Sequence, residues 1–371
     1  MAAHLWNGTA RGSVPVSLSD ALEEEDQERK KQERVTQDLR RQLSAAKADR
    51  DVAEEASERA LRELGLMLKL DGSRTEPPGW TRKAPKPGKH HGTPWLLLSD
   101  LHLDEVVAPA EIGGVNAYNR KIAEARLRAT FENTVSITRD YWSGITYDGI
   151  VCALGGDLYS GDIHDELTQT NEDTILGSIL HWSDLLASGI GLLADEFGKV
   201  HVPVVVGNHG RRSRKPRSKF RARDNFDWFT GHLLARTFAH DPRVTFDVAE
   251  AADTHVQSYG HTVCVTHGDQ TSGGAGIGGI WPPIMRLDAR KRARANATNQ
   301  PYDLLVMGHW HQLVFGPSFI VNGSLKGYDE YAAISNFSFE PPQQALWLMT
   351  PEHGKTWTAP ILPQDRKKEG W

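Results

Sequence analysis

Seven residues of the kinds that hold divalent cations each follow an apolar run in this 371-residue chain. Asp100 and His102 end W-L-L-L-S-D-L-H, and Asp157 ends I-V-C-A-L-G-G-D. Asn208 follows V-P-V-V-V-G, His267 follows V-C-V-T, and His309 and His311 form G-H-W-H after L-L-V-M. Any one of them alone would pass for a turn or surface group. Seven oxygen and nitrogen ligands in five segments, each at the end of an apolar run, make coincidence a poor account. Asp100 and His102 lie two apart and point the same way off an extended segment, so both reach one ion. Asp157 is the candidate bridge between two ions. Two divalent cations about 3.5 to 4 Å apart clamp a phosphoryl group, acidify a bridging water to hydroxide and take up charge on the phosphoryl oxygens. The ligands include only two carboxylates, so the cluster stays net positive and suits an anionic substrate. With no thiolate and one amide oxygen, Mn²⁺, Fe²⁺ or Zn²⁺, Mn²⁺ first, fits better than a soft metal or all-oxygen Mg²⁺ chemistry.

Strands and helices must bring these residues together. The run Ile150 to Leu154 reads as a central strand buried on both faces, stopping at Gly155-Gly156 in a turn that glycine makes cheaply. A carboxylate there sits where ligands bind in open α/β sheets, outside the carboxyl ends of strands. Helical spacing is expected from Asn116 to Trp142 and from Asp173 to Phe197. The second half reads as short strands at hairpin spacing, Val244 to Val248, Thr254 to Tyr259 and His261 to Thr266, with further strands at Pro301 to Met307, Phe319 to Leu325 and Gln344 to Met349. The alternation predicts an α/β fold whose strands are not all parallel.

The composition, 39% hydrophobic and 25% charged, is that of a globular protein. No run of 18 apolar residues and no leader pattern is present, so a cytoplasmic protein without membrane contact is expected. Cys152 and Cys264 lie in apolar runs and read as buried reduced thiols. Residues 1–70 are expected to form a charged helical or coiled-coil segment, with a thin seam of Leu, Ala, Ser, Arg50 and Met between Leu39 and Met67 that would make a homo-oligomer. Residues 71–94, rich in Pro, Gly and Lys, read as a semi-rigid linker, and 95–365 as the catalytic body.

The ordered set D-x-H, G-D, G-N-H, H and G-H-x-H resembles the calcineurin-like metallophosphoesterase superfamily over about residues 95–325. That resemblance implies a two-sheet mixed β-sandwich flanked by helices. It also implies one metal on Asp100, His102, Asp157 and His311 and a second on Asp157, Asn208, His267 and His309. His209, after Asn208, would be the general acid protonating the leaving oxygen. Two positions depart from the family pattern. Gly210 stands where many members have an acid, and Ser160 where many have an aspartate that orients the histidine, leaving Asp162 or His164 as replacements. G-D-L-Y is similar to the corresponding block of the Mre11/SbcD nuclease branch, and G-N-H-G with a basic loop after it is similar to phage-encoded members.

That loop, Gly210 to Arg223, carries eight Arg or Lys in a chain of net charge -5. Such a local inversion of sign beside a phosphate site predicts contact with a polynucleotide backbone through Arg211, Arg212, Arg214, Arg217 and Arg221. A second basic segment, Arg286 to Arg294, reads as a helix face on the same rim. The glycine-rich stretch before Trp281 reads as a lid, with Trp281 as a base-stacking platform. The first expectation is therefore a dinuclear-metal phosphodiesterase or nuclease acting on nucleic acid. The alternatives are a phosphomonoesterase, protein phosphatase or small-nucleotide phosphodiesterase, and a non-catalytic scaffold, against which the complete ligand set argues.

Overall fold

Residues 29–31, 37, 78–82, 90–271 and 279–371 are described by the computed structural model. The chain divides into two units, residues 1–67 and 68–371. In the first unit residues 29–31 and 37 are helical. The seam from Leu39 to Met67, and the self-association expected of it, lie outside the described residues.

Among the described residues the second unit is built on twelve strands. In chain order they are β1 (His91–Leu98), β2 (Thr146–Tyr147), β3 (Ile150–Leu154), β4 (Val200–Val204), β5 (Val244–Val248), β6 (Asp253–Ser258), β7 (His261–Thr266), β8 (Leu304–Met307), β9 (Val314–Phe315), β10 (Phe319–Val321), β11 (Gln344–Thr350) and β12 (Gly354–Ile361). One sheet has the order β12-β11-β1-β3-β4-β5, with β2 beside β1; the other runs β6-β7-β8-β10-β9. β1, β3, β4 and β5 are mutually parallel, whereas β11 and β12 are antiparallel additions at the edge. In the second sheet β7, β8 and β10 are parallel, flanked by antiparallel β6 and β9. Both sheets are mixed, as the sequence predicts.

The faces between the sheets bury Trp95, Leu97, Val151, Ala153, Val263, Val265, Val306, Ile320 and Trp347 in one cluster. The outer face of the first sheet is covered by the helices Arg120–Ser136, Ile175–Phe197 and Phe226–Thr237, and that of the second by Trp281–Ala297. Strands buried on both faces must be apolar throughout, which explains the unbroken runs that precede the ligand residues. The helix Ile175–Phe197 is long and apolar enough to cross a membrane by composition alone. Here its Ile179, Trp182, Leu186, Ile190 and Leu193 are buried in the core under the first sheet. Cys152 and Cys264 are free and buried, and burial pushes both thiols up to about 12.

Two boundaries differ from the sequence reading. β1 starts at His91, and a helical turn, Gly79–Arg82, docks within the stretch expected to be a linker. Trp80 packs against the inter-sheet cluster, Thr81 is buried, and the Thr81 carbonyl accepts the Tyr259 N–H at 2.7 Å. A tryptophan among prolines and lysines had an apolar surface to cover, and that won over the linker composition around it. At the other end the body runs past residue 365, because Glu369 forms a two-point ion pair with the fully buried Arg126 at 2.9 and 3.0 Å.

Candidate metal centre

All five ligand-bearing segments leave the carboxyl ends of parallel strands, β1, β3 and β4 in one sheet and β7 and β8 in the other. Those ends lie along one edge of the sandwich, so seven side chains distant in sequence converge. One ligand atom each from Asp100, His102 and His311 lies within 4.8 Å of the others, and the same holds for Asp157, His267 and His309. His102 Nε2 and His311 Nε2 are 3.0 Å apart, and His311 Nε2 is 3.4 Å from Asp100 Oδ1. His267 Nε2 stands 2.9 Å from Asp157 Oδ2 and 3.2 Å from Asn208 Oδ1.

Donor atoms each about 2.0 to 2.2 Å from one ion stand roughly 3 to 3.4 Å from one another, so these spacings are those of a coordination shell. The backbone supports the fit. Asp100, His102, Asp157, His309 and His311 all adopt left-handed φ, between 47° and 72°. Non-glycine residues take that conformation at a cost and keep it where the surroundings over-determine it, commonly at ligand clamps.

Hydrogen bonds leave the ring nitrogens ready. His267 Nδ1–H donates to the Gly155 carbonyl at 2.8 Å, which puts the lone pair on Nε2. Burial first, then Lys326 for His102 and His267 for His309, push those two imidazoles down to about 4, so both are neutral bases at neutral pH. Burial would also lower His267, but the Asp157 carboxylate outweighs it and raises it to about 10. Burial opposes the ionisation of Asp157, yet His267 and His209 hold its carboxyl well below the usual range.

His209 sits beside the cluster, its ring edge-on to His102 with centroids 4.6 Å apart. Its Nδ1–H donates to the backbone carbonyl of Ser160 at 2.7 Å, and its N–H donates to Asp157 Oδ1 at 2.6 Å. A main-chain carbonyl at position 160 therefore does the orienting, rather than Asp162 or His164. The His164 ring lies 5.8 Å from that of His209.

Asp227, which the sequence reading passed over, explains Gly210. The buried Asp227 carboxylate accepts the N–H groups of Asp157 at 3.1 Å, Leu158 at 3.2 Å and Gly207 at 2.9 Å, tying the G-G-D turn to the G-N-H turn. A Cβ at position 210 would meet Asn225 Oδ1 at 2.3 Å and Asp227 Oδ2 at 2.8 Å, so the space a side chain would fill is taken by the clamp. The two turns also touch backbone to backbone, since a Cβ on Gly156 would lie 2.4 Å from Gly207 N. Burial first, then the Asp157 charge, raises Asp227 to about 6. Asp227→Ala would leave three buried donors unsatisfied at about 1 to 3 kcal/mol each, so a loss of about 3 kcal/mol or more in urea unfolding is expected. Asp227→Asn keeps the volume and one acceptor oxygen and should lose less; equal losses would mean that the retained oxygen contributes nothing and the whole carboxylate is required.

Glu105 was also missed. Its Oε1 pairs with the buried Lys326 Nζ at 2.7 Å, and Lys326 pairs with Asp329 at 2.5 Å. Glu105 Oε2 is 3.3 Å from His102 Nδ1, near enough for electrostatic contact but off the line of a hydrogen bond. Burial opposes ionisation of Glu105, and the Lys326 ammonium outweighs it, so the carboxyl stays below its usual range. A Glu five residues past Asp100 and a Lys after N-G-S-L carry no motif that would have joined them in advance.

The basic loop is largely answered by acids. Arg212 pairs with Asp224 at 3.1 Å, Arg214 with Asp165, Arg221 with Asp269 at 2.6 Å and Arg223 with Glu250 at 2.6 Å. Arg217 stands 3.9 Å from Asp224, and Arg211 binds the carbonyls of Asn208, Ser213 and Arg214, bracing the loop from within. Part of the second basic segment turns inward, while Arg286 and Arg290 are exposed. On the helix Trp281–Ala297, Lys291 is buried and pairs with Asp253 at 2.5 Å, Arg294 joins the same carboxylate, and Arg292 pairs with Asp288 at 3.0 Å. The two pairs with Asp253 fasten the helix to β6, while Leu287 and Ile284 pack toward the sheet. Trp281 is 47% exposed, its ring against Phe319. The expected lid overlaps residues 272–278, outside the described residues.

No family model matches the chain, and no curated protein matches it. Among solved structures it is similar to a predicted phosphoesterase of Streptococcus pneumoniae, at 11% identity and TM-score 0.27, covering 72% of this chain and 97% of that one. It is similar to Vps29 of Entamoeba histolytica in complex with Zn²⁺, at 12% identity and TM-score 0.27, covering 72% and 99%. A third similarity is to the sulfate thiohydrolase SoxB of Thermus thermophilus, at 11% identity and TM-score 0.26, covering 76% of this chain and 58% of that one. The fold rests on this chain's own residues. Two mixed sheets packed face to face between helices, with the D-x-H, G-D, G-N-H, H and G-H-x-H blocks at the carboxyl ends of their strands, are the arrangement that the resemblance to the calcineurin-like metallophosphoesterases implies.

Proposed function

We propose that this protein is a metal-dependent phosphoric ester hydrolase holding two divalent ions, Mn²⁺ first, and that its substrate is the phosphodiester backbone of nucleic acid. The observation that carries the hydrolase reading is the convergence of Asp100, His102 and His311 beside Asp157, His267 and His309, with Asn208 against His267. Asp100, His102, Asp157 and His311 would hold one ion, and Asp157, Asn208, His267 and His309 the other. Such ions, when bound, supply Lewis-acid charge for the phosphoryl oxygens and lower the pKa of water. The protein's own part is to fix the ligand rings and carboxylates, through the Gly155 carbonyl, the Asp227 clamp and the Lys326–Glu105 pair, and to hold His209 over the leaving oxygen.

The polynucleotide reading is supported by the loop after His209. Arg212, Arg214 and Arg217 have exposed side chains in surface ion pairs. Such pairs contribute about 0 to 1 kcal/mol and exchange readily for phosphate. Arg221, bound to Asp269 beside the metal segment, is better described as an anchor. If the loop follows the backbone, log K for single-stranded DNA falls with log salt by about 0.7 per phosphate neutralised. The triple variant Arg212→Ala, Arg214→Ala, Arg217→Ala should flatten that slope by about 2 for three contacts while leaving hydrolysis of a nitrophenyl diester unchanged. An unchanged slope, in a protein that hydrolyses aryl monoesters faster than diesters, would move the reading to a phosphomonoesterase. The intramolecular pairing of most loop arginines is the feature that favours that second reading.

A further inference from the structure

We infer that the hollow beside the basic loop seats a nucleobase of the substrate, with Phe220 as its stacking face. This deepens the nucleic-acid reading above and rests on it. The hollow has a volume of about 680 Å³ and is lined by Arg217, Ser218, Lys219, Phe220, Arg223 and Asp224. A narrower cleft shares Arg217, Lys219, Phe220 and Asp224 with it and reaches Gly207 and Asn225. The two share a wall, and the lining of the cleft includes Gly207 of the G-N-H turn that carries Asn208.

Phe220 is unusual in two independent respects. Its side chain is 74% exposed, and its φ is 55°, a left-handed conformation that bulky residues avoid. The turn that holds it is closed by the Asp224 N–H donating to the Phe220 carbonyl at 2.9 Å. Its neighbour Arg221 fixes the turn against the metal segment, with two hydrogen bonds to Asp269 at 2.6 and 2.7 Å, two residues beyond His267. An exposed phenyl face held in a disfavoured backbone state, braced to the candidate metal centre and bordered by cations, matches what single-stranded nucleic acid requires. Its bases stack on aromatic rings without sequence preference, and its phosphates meet cations alongside. Lys219 is exposed and Arg217 is only loosely paired, so both are free to meet phosphates flanking the stacked base. Trp281, half covered by Phe319, presents less open face.

The test compares wild type, Phe220→Ala and Phe220→Trp in Mn²⁺, using a short fluorescent phosphorothioate single strand for affinity and a nitrophenyl diester for the basal reaction. Phe220→Ala should weaken oligonucleotide binding by about tenfold to a hundredfold. Phe220→Trp should restore it, and neither should change nitrophenyl diester turnover. If wild type binds the strand and Phe220→Ala binds it equally well, the stacking site is wrong and the nuclease reading stands. If wild type binds and cleaves no oligonucleotide while hydrolysing the small ester, the nucleic-acid reading fails and the stacking site with it.

Discussion

Asp157→Asn is expected to abolish most hydrolysis and to strip metal from both halves of the centre at once. Asp157 is the proposed bridge, because it shares one candidate ligand group with His267 and His309 and another with His102 and His209: Oδ2 faces His267 Nε2 at 2.9 Å and Oδ1 accepts the His209 N–H at 2.6 Å. Replacing it by an amide removes the negative charge that two adjacent cations share and presents an N–H₂ where an acceptor is needed. Loss of an outer-shell partner alone typically lowers metal affinity by about 10- to 100-fold, and a shared ligand should cost more. If bound ions supply several kcal/mol of transition-state stabilisation, turnover falls on the order of 10³ or more. Elemental analysis alongside turnover of a nitrophenyl diester checks this. An active wild type with one ion per chain, or an Asp157→Asn variant retaining two, would sink the dinuclear proposal. The turns around Asp157 are held by Asp227 independently of its carboxylate, so the variant should remain folded.

His209→Asn should leave both ions bound yet slow turnover by about 10² to 10⁴ on substrates with a poor leaving group. A nitrophenolate leaves without help, so the loss should shrink there. Geometry alone would also admit His209 as a ligand, because a ring nitrogen lies within 4.8 Å of ligand atoms of His102 and Asp157. Loss of metal in His209→Asn would favour that role over the acid. The pH profile gives a second check. Burial lowers the pKa of His209, and Asp157 and the Ser160 carbonyl only partly oppose this. Its Nδ1–H is committed to Ser160, so the proton to be donated is the one on Nε2, present only below that lowered pKa. For poor leaving groups kcat should therefore decline as pH rises from below about 6.5. That limb should vanish in the Asn variant and be weak for nitrophenyl esters. A profile identical in wild type and variant would leave His209 a positioning residue only.

What the sequence by itself determined was the candidate ligand residues and the strands that carry them. A strand sealed between two apolar layers has no room for polar residues until it ends, so the ends of β1, β3, β4, β7 and β8 stand out as abrupt changes from Leu, Ile and Val to Asp, His and Asn. The mixed two-sheet architecture followed from those runs and from the resemblance they spell. The tertiary structure alone decided how the ligands are held. Asp227 lies 70 residues from the Asp157 N–H it accepts, and Lys326 lies 221 residues from Glu105. Nothing local in R-D-N-F-D-W or N-G-S-L-K requires either contact. Charge was the least legible quantity. Eight cations between Arg211 and Arg223 read as a free basic surface, but side chains on a folded loop find carboxylates at the loop's own end and on other segments, and Asp165, Asp224, Glu250 and Asp269 meet five of them. Lys291 and Arg294 likewise turn inward to Asp253. Periodicity survives in sequence because burial is read residue by residue along one element. A charge's partner is chosen across elements, by packing that the sequence does not record.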